Sequence, residues 1–216
     1  MKKIILMSAV ALTTMSAQAQ DFKGPLQKTF LAFDSSQNPA VKLEQSNKLS
    51  LIAKKWGDVW ITHYYAAYSK ASLSYMEKDA GKRDAYLDDA DKEMADAVSI
   101  LKKDNDETYV LAAMVANARM AVDPAQRWQK YGQLFKSNLE SAQAINPDNP
   151  RMYYLQGTSK YFTPKAFGGG KKSATPYFEK AEGLFAKETG GDITKPYWGK
   201  PQNSYFLTQC KQPDKE

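Results

Sequence analysis

A single period governs this chain. From about Leu43 to Ala186 nearly every segment places its apolar residues 3.6 positions apart, while the alternation of a half-buried strand is absent and the β-branched residues are scattered. Such a pattern specifies helices packed on helices, so the fold class is predicted as all-α. With 216 residues, 43% hydrophobic and 25% charged, the chain can bury one good core and has neither a disordered nor a fibrous composition. Helices are predicted over about Val41–Lys55, Trp56 or Val59 to Met76, Arg83–Lys102, Asp106–Met120, Ala125–Ile145, Arg151–Phe162 and Ser173–Lys187, with a short one around Asn203–Cys210. The turn Asn146-Pro147-Asp148-Asn149-Pro150 punctuates them, because proline cannot continue a helix and restricts the residue before it.

The first residues follow a different logic. Lys2 and Lys3 precede an apolar stretch from Ile4 to Leu12, and Ala17-Gln18-Ala19 offers the small residues of a cleavage site. Residues 1–19 are therefore expected to be a secretory signal peptide, and the stretch is too short for a membrane anchor. No cysteine follows it, so there is no lipoprotein box. Loss of Lys2 and Lys3 would take the formal charge from +6 to +4. The later run from Leu111 to Val122 is broken by Asn117 and Arg119 and cannot span a bilayer. The expected location is the periplasm or the outside. Residues 20–189 form the expected helical domain, and residues 190–216, with Pro196, Trp198-Gly199 and Pro201, an ordered C-terminal tail.

The helices come in pairs that resemble one another. Three second helices carry a small or large apolar residue, a bulky one four later and Ala three after that: Ala90, Met94, Ala97; Phe135, Leu139, Ala142; Ala174, Phe178, Ala181. A small residue at a crossing lets two helices approach to about 8 Å while the bulky one fills the adjacent groove. The first helices also align, Asp104-Asn105-Asp106 with Tyr109 and Leu111 matching Asp148-Asn149-Pro150 with Tyr153 and Leu155.

With these residues the chain resembles the tetratricopeptide-repeat family. Ala142 to Pro150 followed by Tyr153, Tyr154 and Gly157 looks like a repeat junction, and Ala174 to Ala181 like a second helix. The spacings depart from the family: Ala97, Ala142 and Ala181 lie 45 and 39 residues apart, against about 34 in the regular repeat. The resemblance implies antiparallel helix pairs stacked as a right-handed α-solenoid of about three degenerate repeats, which acts by binding, its first helices lining a concave surface.

Candidate chemistry is sparse. One Cys and one His exclude a disulfide framework within the chain and histidine-rich or cysteine-rich metal sites. His63 lies on an aromatic helix; with no second His or Cys nearby, a metal there would need carboxylates from elsewhere, and a hydrogen-bonded structural histidine is the plainer expectation. Gly168-Gly169-Gly170-Lys171-Lys172-Ser173 fails as a phosphate loop, because Lys165 stands where the first glycine belongs; Ser173 is expected to cap the next helix. The acids Asp88, Asp89, Asp91, Glu93 and Asp96 lack calcium-loop spacing and are expected on a solvated face. Cys210 is either a buried apolar residue or a free thiol.

No nucleophile, base and orienter spacing supports an enzyme, no cofactor is implied, and the small positive charge without a basic stripe gives no case for nucleic acid. The leading expectation is a non-catalytic scaffold gripping a protein or peptide partner of the envelope through a groove of Tyr65, Asn117, Tyr154, Thr158 and Tyr161. The alternative is a small-ligand carrier with an aromatic-lined pocket. The stripe Trp60, Tyr64, Tyr68 is open to either core or groove, and the sequence leaves partner, oligomeric state and the redox state of Cys210 undecided.

Overall fold

The structure, a computed structural model, describes residues 22–213; the expected signal peptide lies outside the described residues. These residues form nine α-helices and no strand: α1 (Lys23–Ser35), α2 (Pro39–Lys55), α3 (Trp60–Met76), α4 (Ala80–Leu101), α5 (Asp106–Val122), α6 (Pro124–Ile145), α7 (Pro150–Phe162), α8 (Lys171–Phe185) and α9 (Lys200–Lys211), with a 3₁₀ turn at Lys165–Phe167.

Local chemistry sets most of the boundaries. Asn38, Asp123 and Asn149 each accept backbone N–H groups of the following helix, and each is followed by a proline at the first helical position, where its missing N–H costs nothing. Asn105 and Thr108 form a reciprocal capping box at α5. α8 departs from expectation. It starts at Lys171 after Gly170, whose φ is 92°, and no side chain caps it, so Ser173 lies inside the helix. The preceding turn needs its glycines: a Cβ on Gly169 would lie 2.0 Å from the Thr163 carbonyl oxygen.

Short connections make consecutive helices antiparallel neighbours. The most extensive contacts join α3 with α4, α5 with α6 and α7 with α8, and the first helices α3, α5 and α7 also touch in sequence. Three hairpins are thus stacked through their first helices. Ala90, Ala97, Leu139, Ala142, Ala174, Phe178 and Ala181 are buried, whereas Met94 and Phe135 are half-buried. At one crossing the contact is tight enough to need glycine: a Cβ on Gly157 would lie 2.6 Å from the ring of buried Phe178. Gly157→Ala should therefore overpack this contact and lower stability by about 1–3 kcal/mol, read by chemical denaturation.

Two elements outside the hairpins change what is exposed. α1, which the sequence reading did not foresee, lays Leu26, Phe30 and Phe33 against the body of the protein and contacts α3. Residues 193–198, part of the compositional tail, turn back into the bundle, where Ile193 and Trp198 are buried. Consequently α3 is buried on every face from Ile61 to Ala71, the polar Thr62, His63, Ser69 and Lys70 included. Its buried hydroxyls find acceptors on the turn before them: Ser69 bonds the Ala66 carbonyl and Ser74 that of Ala71.

Candidate functional site

In a series of antiparallel hairpins alternate helices run the same way, so the C-terminal ends of α3, α5 and α7 share one side of the stack. Large apolar side chains remain exposed at these ends. Tyr75 and Met76 close α3, and Phe162 closes α7 with 71% of its surface accessible. Phe167 on the adjoining 3₁₀ turn is 79% exposed and Tyr205 of α9 59%. Phe162 and Tyr205 both touch Phe206, so they form a joined exposed patch rather than scattered rings.

The rings continue inward as one stack. Tyr161, Phe162 and Tyr205 each pack edge-on against Phe206, with centroids 5.2, 5.7 and 5.4 Å away. Phe206 lies parallel to Phe178 at 5.5 Å and tilted to Tyr154 at 6.5 Å. Tyr154 meets Trp198 edge-on at 6.2 Å, and Trp198 stacks on Tyr68 at 4.8 Å. Offset and edge-to-face pairs of this kind add to the burial of the rings. The inner end is pinned by polar bonds, Trp198 Nε1 donating to the Tyr64 hydroxyl at 2.7 Å, which donates to Glu107 at 3.0 Å.

Beside the rings lie groups of a second kind. Asn117 of α5 donates to the Tyr75 hydroxyl at 3.1 Å, and that hydroxyl donates to the Met114 carbonyl at 3.2 Å. Although the Tyr75 side chain is partly exposed, desolvation of its hydroxyl holds the phenol above its ordinary pKa, and the Asn117 bond and then the charge of Arg83 oppose that rise. Arg83, at the start of α4, has a buried Nε with no hydrogen-bond partner. Asp34 at the end of α1 accepts from Gln202 at 3.1 Å and from Tyr68 at 3.5 Å, and desolvation raises its pKa. The surface thus offers flat apolar rings, with the Arg83 guanidinium near Tyr75 and the Asp34 carboxyl beside Tyr68.

The five residues expected to line a groove divide. Tyr161 is half-exposed within the ring cluster, and Asn117 is half-exposed beside Tyr75. Tyr154 is half-buried with its hydroxyl inside the protein, in the middle of the stack. Tyr65 and Thr158 are corrected: both are buried. Tyr65 lies 4.4 Å from Phe30 of α1 and its hydroxyl donates to the Lys195 carbonyl at 2.8 Å, so α1 and the returning segment cover the face that a concave groove would have used. Thr158 bonds the Leu155 carbonyl of its own helix. Trp60 packs on Tyr64, and the stripe from Tyr64 to Tyr68 is core. The sequence reading missed Phe162, Phe167, Tyr205 and Phe206; the only local sign was the density of rings around the glycine turn.

Other polar groups hold the fold. Arg151, 1% exposed, pairs with Glu107 at 3.0 Å and Glu188 at 2.8 Å and donates to the Pro196 carbonyl at 2.6 Å. The adjacent cleft of about 250 Å³, lined by Glu107, Asn146, Asp148, Asn149, Leu184 and Glu188 among others, is small and acidic, below the 300–1,000 Å³ of ordinary ligand pockets. The acids of α4 do more than face solvent. Asp88 and Asp91 take Arg119 at 2.7 and 2.6 Å, and Asp84 takes Arg127, which ties α4 to α5 and α6. His63 Nδ1 lies 2.7 Å from Glu93, and this bond raises the imidazole pKa against the opposing effect of burial. Cys210 is half-buried, and burial pushes its thiol pKa up.

Neither a family model nor a curated protein sequence matches the chain. Among solved structures it is similar to the HusA haemophore from Porphyromonas gingivalis, with 32% identity, a TM-score of 0.76, and coverage of 92% of this chain and 97% of that one. The expected membership of the tetratricopeptide-repeat family, and with it the scaffold reading drawn from that family, is overturned by this finding. The helix pairs exist, within an all-helical fold similar to that of the haemophore. The likeness to a haemophore favours the small-ligand alternative over a protein-binding groove. No described helix is long and apolar enough to cross a membrane.

Proposed function

We propose that this chain, which belongs to the family of the HusA haemophore, is a non-catalytic carrier that captures haem on the aromatic surface at the C-terminal ends of α3, α5 and α7. The observation that carries the reading is the cluster of Tyr161, Phe162 and Phe206, open to solvent at one end and continuous with the buried stack at the other. A porphyrin is a flat apolar disc with two carboxylates on one edge. Each large side chain that it covers contributes about 1.5–3 kcal/mol when removed from water, and face or edge contacts to the macrocycle add to this. Arg83 supplies a guanidinium toward which a propionate can turn, and guanidinium groups bind carboxylates in a planar, two-bond geometry.

Iron ligation by the sole histidine is not part of this reading. Nδ1 of His63 is held by Glu93, and Nε2 is buried. Tyr161 and Tyr205 bring phenols to the ring cluster, and tyrosinate is an established type of haem ligand. A site that relies on stacking with at most one weak axial bond suits a protein that must pass its cargo on. The stacked hairpins act as a short solenoid that presents this surface, and export by the leader-like residues 1–19 would place the carrier outside the cytoplasm.

Titration of the haem-free protein with haemin, followed through the Soret band, tests the reading. Saturable binding that is displaced by metal-free protoporphyrin only in part would show both stacking and an axial contribution; a spectrum that changes only in proportion to added haemin, without saturation, would refute capture.

A further inference from the structure

We propose that His63, Glu93 and Asp96 form a binding site for a divalent transition-metal ion of the zinc class, on the α3–α4 hairpin and separate from the aromatic surface. The three ligand atoms lie within 4.8 Å of one another, His63 Nδ1 being 2.7 Å from Glu93 and 3.9 Å from Asp96. Ligands at about 2.0–2.1 Å around a tetrahedral ion stand roughly 3.3 Å apart. The observed triangle therefore brackets the required size, and small rotations of the two carboxylates would even it out. Glu93 and Asp96 are three residues apart and so share one face of α4, opposite the point where α3 presents its histidine. The chain has a single histidine, and its ring is directed at this pair of acids.

The second nitrogen faces the backbone of Gly57. A histidine that ligates through Nδ1 must carry its proton on Nε2 and commonly offers it to a backbone carbonyl, which fixes the ring. Nε2 of His63 is buried without a hydrogen-bond partner, near the backbone of Gly57 but outside bonding geometry. The ring is thus fixed by packing on one side and turned to the acids on the other. The site is also accessible, since the Asp96 side chain is 54% exposed and leaves room for the water that would complete a four-coordinate ion. The nearest cation along α3, Lys70, is already engaged by Asn47 and Asp89. Imidazole with two carboxylates is a borderline donor set, which favours zinc over calcium or magnesium.

The test uses untagged, haem-free full chain and zinc chloride alone, by calorimetry and by melting temperature, with cobalt chloride as a spectroscopic substitute. The expected result is one equivalent bound, a higher melting temperature, and visible cobalt bands of a low-coordinate site. Asp96→Asn, at an exposed position, should keep the unliganded melting temperature and weaken zinc at least tenfold; His63→Gln should abolish binding. Haemin uptake should be unchanged in Asp96→Asn, so failure here is distinguishable from failure of the carrier reading. Absence of a one-to-one isotherm, or equal zinc binding by wild type and Asp96→Asn, would overturn the proposal and leave His63 and Glu93 as a plain ion pair between helices.

Discussion

Arg151→Ala will lower the stability of this protein by about 3–5 kcal/mol, the range expected when one partner of a buried charge network is removed. The guanidinium is almost wholly enclosed and joins three parts of the chain: Glu107 on α5, Glu188 just after α8 and the Pro196 carbonyl on the returning segment. Its loss leaves Glu107, whose pKa burial already raises and Arg151 opposes, with an uncompensated charge in the interior. It also frees the segment that carries Trp198 into the core, so the Tyr68 and Tyr154 contacts of that ring should loosen with it. Denaturation midpoints measure the first effect and tryptophan fluorescence the second. Arg151→Met combined with Glu107→Gln should recover a substantial part of the loss, because the buried charge is then gone. If Arg151→Ala costs less than about 1 kcal/mol, the network does not hold the returning segment.

The largest effect on binding is expected from Tyr161→Ala with Phe162→Ala. Two rings that a porphyrin would cover contribute together about 3–6 kcal/mol, so haemin affinity should fall by a factor of roughly 10²–10⁴ by the conversion of 1.4 kcal/mol per tenfold. Phe162 is mostly exposed without ligand, so its truncation should move stability by no more than about 0.5 kcal/mol. Tyr161 is half-exposed and adds a modest further loss. A doubly substituted protein that melts near the wild-type temperature and binds haemin as before would remove the ring cluster from the site. Arg83→Ala offers a finer comparison: if it pairs with a propionate, it should weaken haemin more than a porphyrin whose carboxylates are esterified.

What the sequence made legible was local. Helix starts at Asn38, Asp123 and Asn149 follow from side-chain caps and prolines at the next position, and the all-helical class follows from one period kept along most of the chain. α1 was equally local, since Leu26, Phe30 and Phe33 keep helical spacing, yet its closeness to the apolar leader hid it. The folding back of residues 193–198 was not legible, because nothing near Trp198 states that its partners are Tyr64 and Tyr68, some 130 residues earlier. That non-local event, with the packing of α1 on α3, moved Tyr65 from groove to core. The ring cluster was hidden for the same reason, as Phe206 meets Tyr161 and Phe162 only once α9 has packed on α8. Repeat spacing misled in a different way: small residues at helix crossings are required wherever helices pair closely, so they mark pairing rather than one family.

The most direct test of the carrier account is a haemin titration of isotope-labelled protein followed residue by residue through its amide and methyl signals, with zinc protoporphyrin in parallel to avoid paramagnetic loss. The account predicts saturable changes concentrated at Tyr75, Met76, Asn117, Tyr161, Phe162 and Phe206, with little change at Asn146, Asn149 or Glu188 around the acidic cleft. Changes centred on that cleft, or an absence of saturable change anywhere, would contradict it.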